Sequence, residues 1–190
     1  MRKLIAAMKI TLDGKMDGPQ GPDWVVAWSE DYGLTSQIDA CVLGGGMYPG
    51  YEYYWTSIQN EPEKPVLVNA GAPTPGEREW AQFIKQTPHY VLSNTLASAT
   101  WATTTFLRDP EEIAALKRQS GKEIYLIGGA RTAASLFDAG LVDELRLLVY
   151  PLIAGEGKPL FAASERRRKL ELREAKPLAD GRLRLIYALG

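Results

Sequence analysis

Two short apolar segments that run directly into consecutive glycines constrain the fold of this chain more than any other feature. Residues 40–43 precede the triple glycine at 44–46, and residues 124–127 precede Gly128 and Gly129. Apolar runs of this length that end in turn residues are typical of buried strands. Strands that are buried on both faces belong to parallel sheets covered by helices. The sequence therefore predicts an α/β fold.

The rest of the chain agrees with this fold class. Further predicted strands lie at residues 4–10, 65–69, 90–93, 103–107 and 145–153. Predicted helices lie at 75–85, from Asp109 (the N-cap) until Gly121 stops the helix, and after Gly129. Residues 170–173 and 183–185 alternate apolar and charged side chains around a turn at 179–181, which indicates an antiparallel hairpin. We expect one domain over residues 1–190, with a mostly parallel sheet, antiparallel C-terminal strands and helices on both faces.

Composition excludes several classes of function. The 22 Lys and Arg residues against 23 Asp and Glu residues give a net charge of −1, so no overall field attracts nucleic acid or anionic lipid. With one cysteine, Cys41, and one histidine, His89, the chain can form neither an internal disulfide nor a Cys/His zinc site. No apolar run approaches the roughly 20 residues that span a bilayer. We expect a cytoplasmic protein with no metal, no membrane and no nucleic-acid partner.

Three strand ends could together hold an anionic ligand. After Gly128 and Gly129, the segment Ala130-Arg131-Thr132 begins a helix, so backbone N–H groups and a cation face an anion there. The triple glycine forms a second such turn, and Ser93 and Asn94 follow a third strand with groups that suit a ribose or a phosphate. Neither a GxGxxG fingerprint nor a Walker loop is present.

Several motifs resemble one family over nearly the whole chain. Residues 11–14, Thr-Leu-Asp-Gly, are similar to an S-L-D-G signature, and residues 126–130 match a strand–glycine–helix motif. Residues 140–151 and 155–161 closely resemble a G-L-V-D-E-L-x-L…P…G-x-G-x-P-L-F run. These are motifs of the dihydrofolate reductase-like superfamily, in the branch related to the riboflavin-pathway pyrimidine reductase (RibD C-terminal) domain.

The resemblance implies a three-layer α/β sandwich that binds NADPH along the carboxyl ends of its strands and transfers a hydride to a small heterocycle of the pterin or aminopyrimidine kind. The cofactor-binding positions that it implies are Trp24, Gly45, Met47, Tyr48, Ser93, Asn94, Gly128, Gly129, Ala130, Arg131 and Thr132. The family often has an arginine in the turn that Met47 and Tyr48 occupy. Because that cation is absent here, the choice between NADPH and NADH stays open.

The substrate side matches the family less well. Pro22 stands at the place of a substrate-contacting serine, and Ile127 stands at the place of a glutamate. The candidate catalytic acids are Asp13, Glu30 and Asp31, of which the last two lie near the carboxylate that dihydrofolate reductase needs on its first helix. The alternative is a non-catalytic nucleotide- or small-molecule-binding protein on the same scaffold.

Three further expectations concern surfaces. The resemblance implies a homodimer in which C-terminal strands pair across a two-fold axis, and we expect the contact at an exposed segment 145–151 and the G-x-G loop at 155–157 that follows it. His89 follows Pro88 and is predicted to be a surface or edge residue. Residues 51–55 hold four aromatic side chains, which indicate either a subunit contact or a pocket wall.

Overall fold

The computed structural model describes residues 1–17, 28, 30–66, 71–161 and 167–189. Its strands are β1 Leu4–Thr11, β2 Ile38–Gly44, β3 His89–Leu92, β4 Thr104–Leu107, β5 Glu123–Gly128, β6 Glu144–Tyr150, β7 Glu171–Pro177 and β8 Leu183–Ala188. Its helices are α1 Tyr48–Asn60, α2 Pro75–Gln86, α3 Pro110–Lys117 and α4 Ala130–Asp138, with short 3-10 turns at Glu30–Tyr32 and Ala179–Gly181. Two predictions, the strand at 65–69 and the Trp24 site, fall partly or wholly outside the described residues.

All eight strands form one sheet in the order β4-β3-β2-β5-β1-β6-β8-β7. The pairs from β4 to β6 are parallel, whereas β8 pairs antiparallel with both β6 and β7. The chain therefore places β2 and β5 side by side at the centre, so the two glycine turns that follow them are neighbours. This arrangement confirms the predicted fold class.

Helices cover both faces of the sheet and bury the side chains of the central strands on each side. One face, here called the aromatic face, packs residues of β1 and β2 against α1 and α2, with Trp28 stacked on Trp80 at 3.6 Å between ring centroids. The other, here called the aliphatic face, packs Leu126 against Ile113 of α3 and Leu136 of α4. None of the described helices is long and apolar enough to cross a bilayer.

Local signals place α2 and α3. Thr74 and Asp109 are N-caps, each in a reciprocal capping box with a glutamate, Glu77 and Glu112. Each helix begins with a proline, whose missing N–H costs nothing at that position. The predicted starts of both helices are thereby confirmed.

Helix α1 was not predicted from the sequence. Tyr51, Tyr54 and Trp55 recur at helical spacing and are buried in the aromatic core, whereas Tyr53 is 65% exposed. Pro49 stands in the first turn, where proline is tolerated, but Gly50 and the aromatic residues have poor or modest helix propensity, so burial of one face and not propensity forms this helix. Three of the four aromatic side chains thus form core instead of the expected subunit contact or pocket wall, and Tyr53 alone of the four lies on the surface.

The surface prediction for His89 is wrong. The imidazole has no exposed surface, since β3 lies between β2 and β4 in the sheet. Nδ1 lies 2.8 Å from the carbonyl oxygen of Thr87, and the ring packs 5.0 Å from that of Trp101. Burial lowers the pKa of His89 to about 4, so the ring is neutral at physiological pH.

The predicted exposure of residues 145–151 is also wrong for most of that segment. Leu145, Leu147 and Leu148 are buried, because β6 lies between β1 and β8 and packs on both faces. Large exposed apolar side chains lie instead just beyond it, at Leu152 and Ile153, and on the edge strand β7, at Leu172.

Candidate cofactor site

The site lies where the parallel strands β3, β2, β5 and β1 end at one edge of the sheet. Leu43 of β2 pairs in register with Gly128 of β5, so the turns at 44–46 and 128–129 are adjacent. The backbone N–H of Gly45 donates to the carbonyl oxygen of Leu92 at 3.0 Å, which joins the β3 end to the same group. The carboxyl ends of neighbouring parallel strands are where open α/β sheets bind ligands.

Gly44 and Gly45 have no side chains, which leaves room for Thr132 of α4 and for Ser93 after β3. A Cβ on Gly44 would lie 3.2 Å from Cβ of Thr132, in the first turn of α4, and would meet its hydroxyl at a still shorter distance. A Cβ on Gly45 would lie 2.5 Å from Cβ of Ser93. The backbone of β2, the start of α4 and the end of β3 are therefore in direct contact.

The second turn presents an open helix start. Gly128 has a φ of +138°, a conformation that glycine alone adopts readily, and its Cα faces the sulfur atoms of Met8 and Met47. Gly129 is the N-cap of α4 and has no side chain to occupy the first N–H groups of the helix. The backbone N–H groups of Ala130, Arg131 and Thr132 are therefore open and can hold an anion.

A cation that the sequence analysis missed lies beside Ser93. Arg108 follows β4, is exposed, and donates from its guanidinium to the carbonyl oxygens of Ser93 and, at 2.8 Å, of Leu96. The pairing of Leu92 with Leu107 brings these residues together across 15 positions of sequence. Parallel pairing of β3 with β4 is the signal that could have identified this arginine.

The remaining predicted cofactor positions differ in accessibility. Met47 and Asn94 are exposed at the rim, and Arg131 is exposed on α4. Tyr48 is buried behind the turn, where its hydroxyl donates to Glu52 and lies 2.7 Å from that of Thr104. Of the predicted residues that are described, all lie along this edge, and Tyr48 alone is turned into the core.

The carboxylate of Asp13 holds a loop. It accepts from the Thr11 hydroxyl at 2.6 Å and from the backbone N–H groups of Ala154 at 3.0 Å and Gly155 at 2.9 Å. The Thr11 hydrogen bond, followed by these backbone donors, lowers the pKa of Asp13 to about 2. The group is thus ionised at neutral pH and joins the end of β1 to the loop after β6.

The other two predicted acids lie in the 3-10 turn Glu30–Tyr32. Glu30 accepts from the backbone N–H of Thr35 at 3.1 Å and from its hydroxyl, so it stabilises the local turn. Asp31 forms an ion pair with Arg182 at 2.8 Å and is half-buried against the aromatic face. The structure therefore does not bring the three acids together, and it directs each to a different segment.

Asp31 belongs to a charged cluster on the aromatic face that sequence reasoning did not find. Lys9 of β1 interacts electrostatically with Asp31, with Arg182 and with Glu77 of α2. Glu77 is 2% exposed and accepts from the hydroxyl of Tyr54 at 3.0 Å. These residues come from four distant parts of the chain, so no sequence spacing reveals them.

Comparison with known proteins gives one family and several similar folds. Residues 2–183 match the model of the RibD C-terminal domain. The chain is 30% identical over 192 residues to the uncharacterized protein YyaP of Bacillus subtilis, covering 98% of this chain and 94% of that protein.

Two solved structures have the same fold at low identity. One is a diaminohydroxyphosphoribosylaminopyrimidine deaminase/5-amino-6-(5-phosphoribosylamino)uracil reductase from Thermotoga maritima, with a TM-score of 0.67 and 14% identity, covering 100% of this chain and 57% of that one. The other is a dihydrofolate reductase from Enterococcus faecalis, solved in complex with NADP(H), with a TM-score of 0.64 and 16% identity, covering 99% of this chain and 96% of that one.

Proposed function

Since this chain belongs to the RibD C-terminal domain family of riboflavin-pathway-like and dihydrofolate reductase-like proteins, we propose that it is an NADPH-dependent reductase that transfers a hydride to a small heterocyclic acceptor of the pterin or aminopyrimidine kind. The observation that carries this proposal is the contact of three segments at one sheet edge, through Gly44 with Thr132 and through Gly45 with Ser93. Beside these contacts, Gly46 and Gly129 face open space, so a dinucleotide could approach the backbone of both turns.

The residues present fit the phosphates of NADPH. The start of α4, from Gly129 to Thr132, would hold the pyrophosphate through backbone N–H groups and the positive helix end. Ser93 and Asn94 would hold the adenosine ribose. These assignments use groups that lie along one edge of the sheet.

Arg108 supports the choice of NADPH over NADH. Its guanidinium lies at the end of the site near Ser93, and its two planar donor edges suit a phosphate. This cation would take the part of the arginine that is missing from the Met47–Tyr48 turn. We therefore assign the 2′-phosphate to Ser93 and Arg108.

The cofactor, when bound, supplies the hydride, and the protein supplies position and a dry surface. We place the acceptor on the aromatic face of β1, beside the half-buried Lys9 and Asp31, where charged groups and aromatic rings meet. A flat ring packs on aromatic side chains, and the charged groups orient its polar edge.

The test is oxidation of NADPH, followed by its absorbance, with a panel of acceptors: 7,8-dihydrofolate, 7,8-dihydropterin, diaminouracils and quinazoline-like rings. Reduction of any of them at a rate well above that of a heat-denatured sample is the expected result. NADPH binding with no turnover across the panel contradicts the reductase and leaves the non-catalytic binding protein.

A further inference from the structure

The charged cluster on the aromatic face contains a lysine at an unusual place in the sheet. Along β1, Ile5 and Ala7 belong to the aromatic core, and Met8 and Ile10 belong to the aliphatic core. Lys9 has the same parity as Ala7 and pairs in register with Leu148, which also belongs to the aromatic core. Its side chain therefore lies on the aromatic face of a central strand, where apolar residues are the rule.

The acids around Lys9 are already engaged by other donors. Glu77 accepts from the Tyr54 hydroxyl at 3.0 Å and from the backbone N–H of Thr74 at 2.8 Å. Asp31 is paired with Arg182, which brings a second positive charge near the lysine. Lys9 thus lies among two carboxylates and one arginine.

The surroundings make the lysine easy to deprotonate. Burial lowers the pKa of Lys9 to about 8, a shift that Arg182 increases and that Glu77 and Asp31 oppose. The group remains half-buried and not fully enclosed. An amine that is partly accessible and titrates near neutral pH matches what general acid catalysis requires.

The position of Lys9 relative to the glycine turns supports a role in chemistry. Its neighbour Met8 has its sulfur 3.6 Å from the place of a Cβ on Gly128. Ala6 of β1 pairs in register with Leu126 of β5, so Met8 lies level with Gly128 and Lys9 is one residue further toward the edge that carries the cofactor turn. Its side chain lies on the opposite face from Met8, which is the face assigned to the acceptor. Asp31, the acid that the sequence analysis placed in this region, faces the same cluster but is held by Arg182.

We propose that Lys9 is the catalytic proton donor of the reduction, which rests on the function proposed above. The acceptor class is a heterocycle with a C=N bond. Its carbon gains a hydride from NADPH, its nitrogen gains a proton from the Lys9 ammonium, and the neutral amine regains a proton from water. The acceptor is reduced by two electrons, and NADPH is oxidised to NADP⁺.

The first test needs no turnover. The wild-type protein is labelled with trace acetic anhydride from pH 6 to 11, and acetylation of each lysine is read by peptide mass spectrometry. Lys9 is expected to label with a midpoint near pH 8, against about 10.4 for an unperturbed lysine side chain, and the exposed Lys176 of β7 is followed in the same experiment as the comparison. Absence of Lys9 labelling at every pH, or the same midpoint as Lys176, overturns the proposal.

The second test is the pH profile of reduction of the fastest acceptor in the panel. The wild-type rate is expected to fall above about pH 8; Lys9→Met lowers the plateau about 100-fold and removes the fall, and Lys9→Arg moves the fall above pH 10. Lys176→Met is the matched control and keeps the wild-type profile. A Lys9→Met profile that keeps the fall overturns the role of Lys9.

The two proposals fail in different ways. If no NADPH binds, or if no acceptor is reduced, the proposed function fails and takes the catalytic role of Lys9 with it. If an acceptor is reduced with the wild-type pH profile in Lys9→Arg, the function stands and Lys9 is a structural member of the cluster.

Discussion

At the scale of residues, contacts to a few backbone atoms determine whether the cofactor edge can form. The Cα atoms of Gly44 and Gly45 lie against Thr132 and Ser93 so closely that a methyl group at either position displaces its neighbour. Gly46, one residue further, faces open space. The triple glycine therefore contains two positions that packing requires and one that it does not.

Gly45→Ala is expected to destabilise the fold by about 1–3 kcal/mol, since its Cβ would lie 2.5 Å from that of Ser93 and overpacking of this kind forces the backbone to move. NADPH affinity falls with it. Gly46→Ala is the matched control and changes the free energy of unfolding by less than about 0.5 kcal/mol. Urea unfolding of both variants measures the difference, and equal losses would contradict the packing account.

Arg108→Met is expected to weaken NADPH binding by about tenfold or more and to leave NADH binding within twofold, because a charged hydrogen bond to the 2′-phosphate is worth about 1.5–3 kcal/mol. Tryptophan quenching by each nucleotide gives the two dissociation constants. Arg173→Met, on the distant edge strand, is the control for loss of a positive charge. Equal weakening of both nucleotides would show that Arg108 only holds the Ser93 loop.

Among the elements, the helix starts that depend on local interactions could be predicted from short sequence motifs. Asp109 with Pro110, and the glycines that join β5 to α4, specify where a helix starts whatever surrounds it. Helix α1 was not predicted because its glycine and aromatic residues do not favour a helix. Burial of its aromatic side chains stabilises it instead. His89 was misplaced because β4, which covers it, follows twelve residues after β3 ends.

Buried His89 is expected to make the fold less stable in acid. Its folded-state pKa of about 4 lies below the ordinary 6.5, so the unfolded chain binds the proton more readily between these values. The contribution of the neutral imidazole to stability is therefore fully present above pH 6.5 and is lost as the pH decreases toward 4. Through this group, the free energy of unfolding falls by about 2 kcal/mol between pH 7.5 and 5.

Because His89 is the only histidine, urea unfolding at pH 7.5 and pH 5 isolates its contribution, with His89→Gln as the comparison. The variant is less stable at pH 7.5 but loses less on acidification. A wild-type stability that is the same at both values would mean that the imidazole is not held neutral.

At the scale of the whole molecule, the cofactor edge and the charged cluster depend on topology. Arg108 reaches Ser93 only because β3 and β4 are parallel neighbours. Lys9 meets Glu77 and Arg182 only after α2 covers the aromatic face and the C-terminal hairpin pairs with β6. The strand–glycine–helix motif could be predicted from one contiguous segment. The Arg108 and Lys9 assignments need the sheet order, which no single segment contains.

A homodimer stays a prediction. Because most of residues 145–151 are buried, we expect its contact at the C-terminal edge of the sheet. Strand β7 is the outermost strand of the sheet and exposes Leu172, 52% of which is accessible. We expect light scattering after gel filtration to give about twice the 21.0 kDa of one chain, and Leu172→Lys to shift the protein toward monomer. Arg173→Met serves as control, and a wild-type monomer at 50 μM would contradict the expectation.

A titration of the wild-type protein with NADPH and with NADH shows whether the glycine edge binds the cofactor. Quenching of the five tryptophans reports binding. We expect saturable NADPH binding in the micromolar range and NADH binding at least tenfold weaker. No quenching by either nucleotide at millimolar concentration would contradict this expectation.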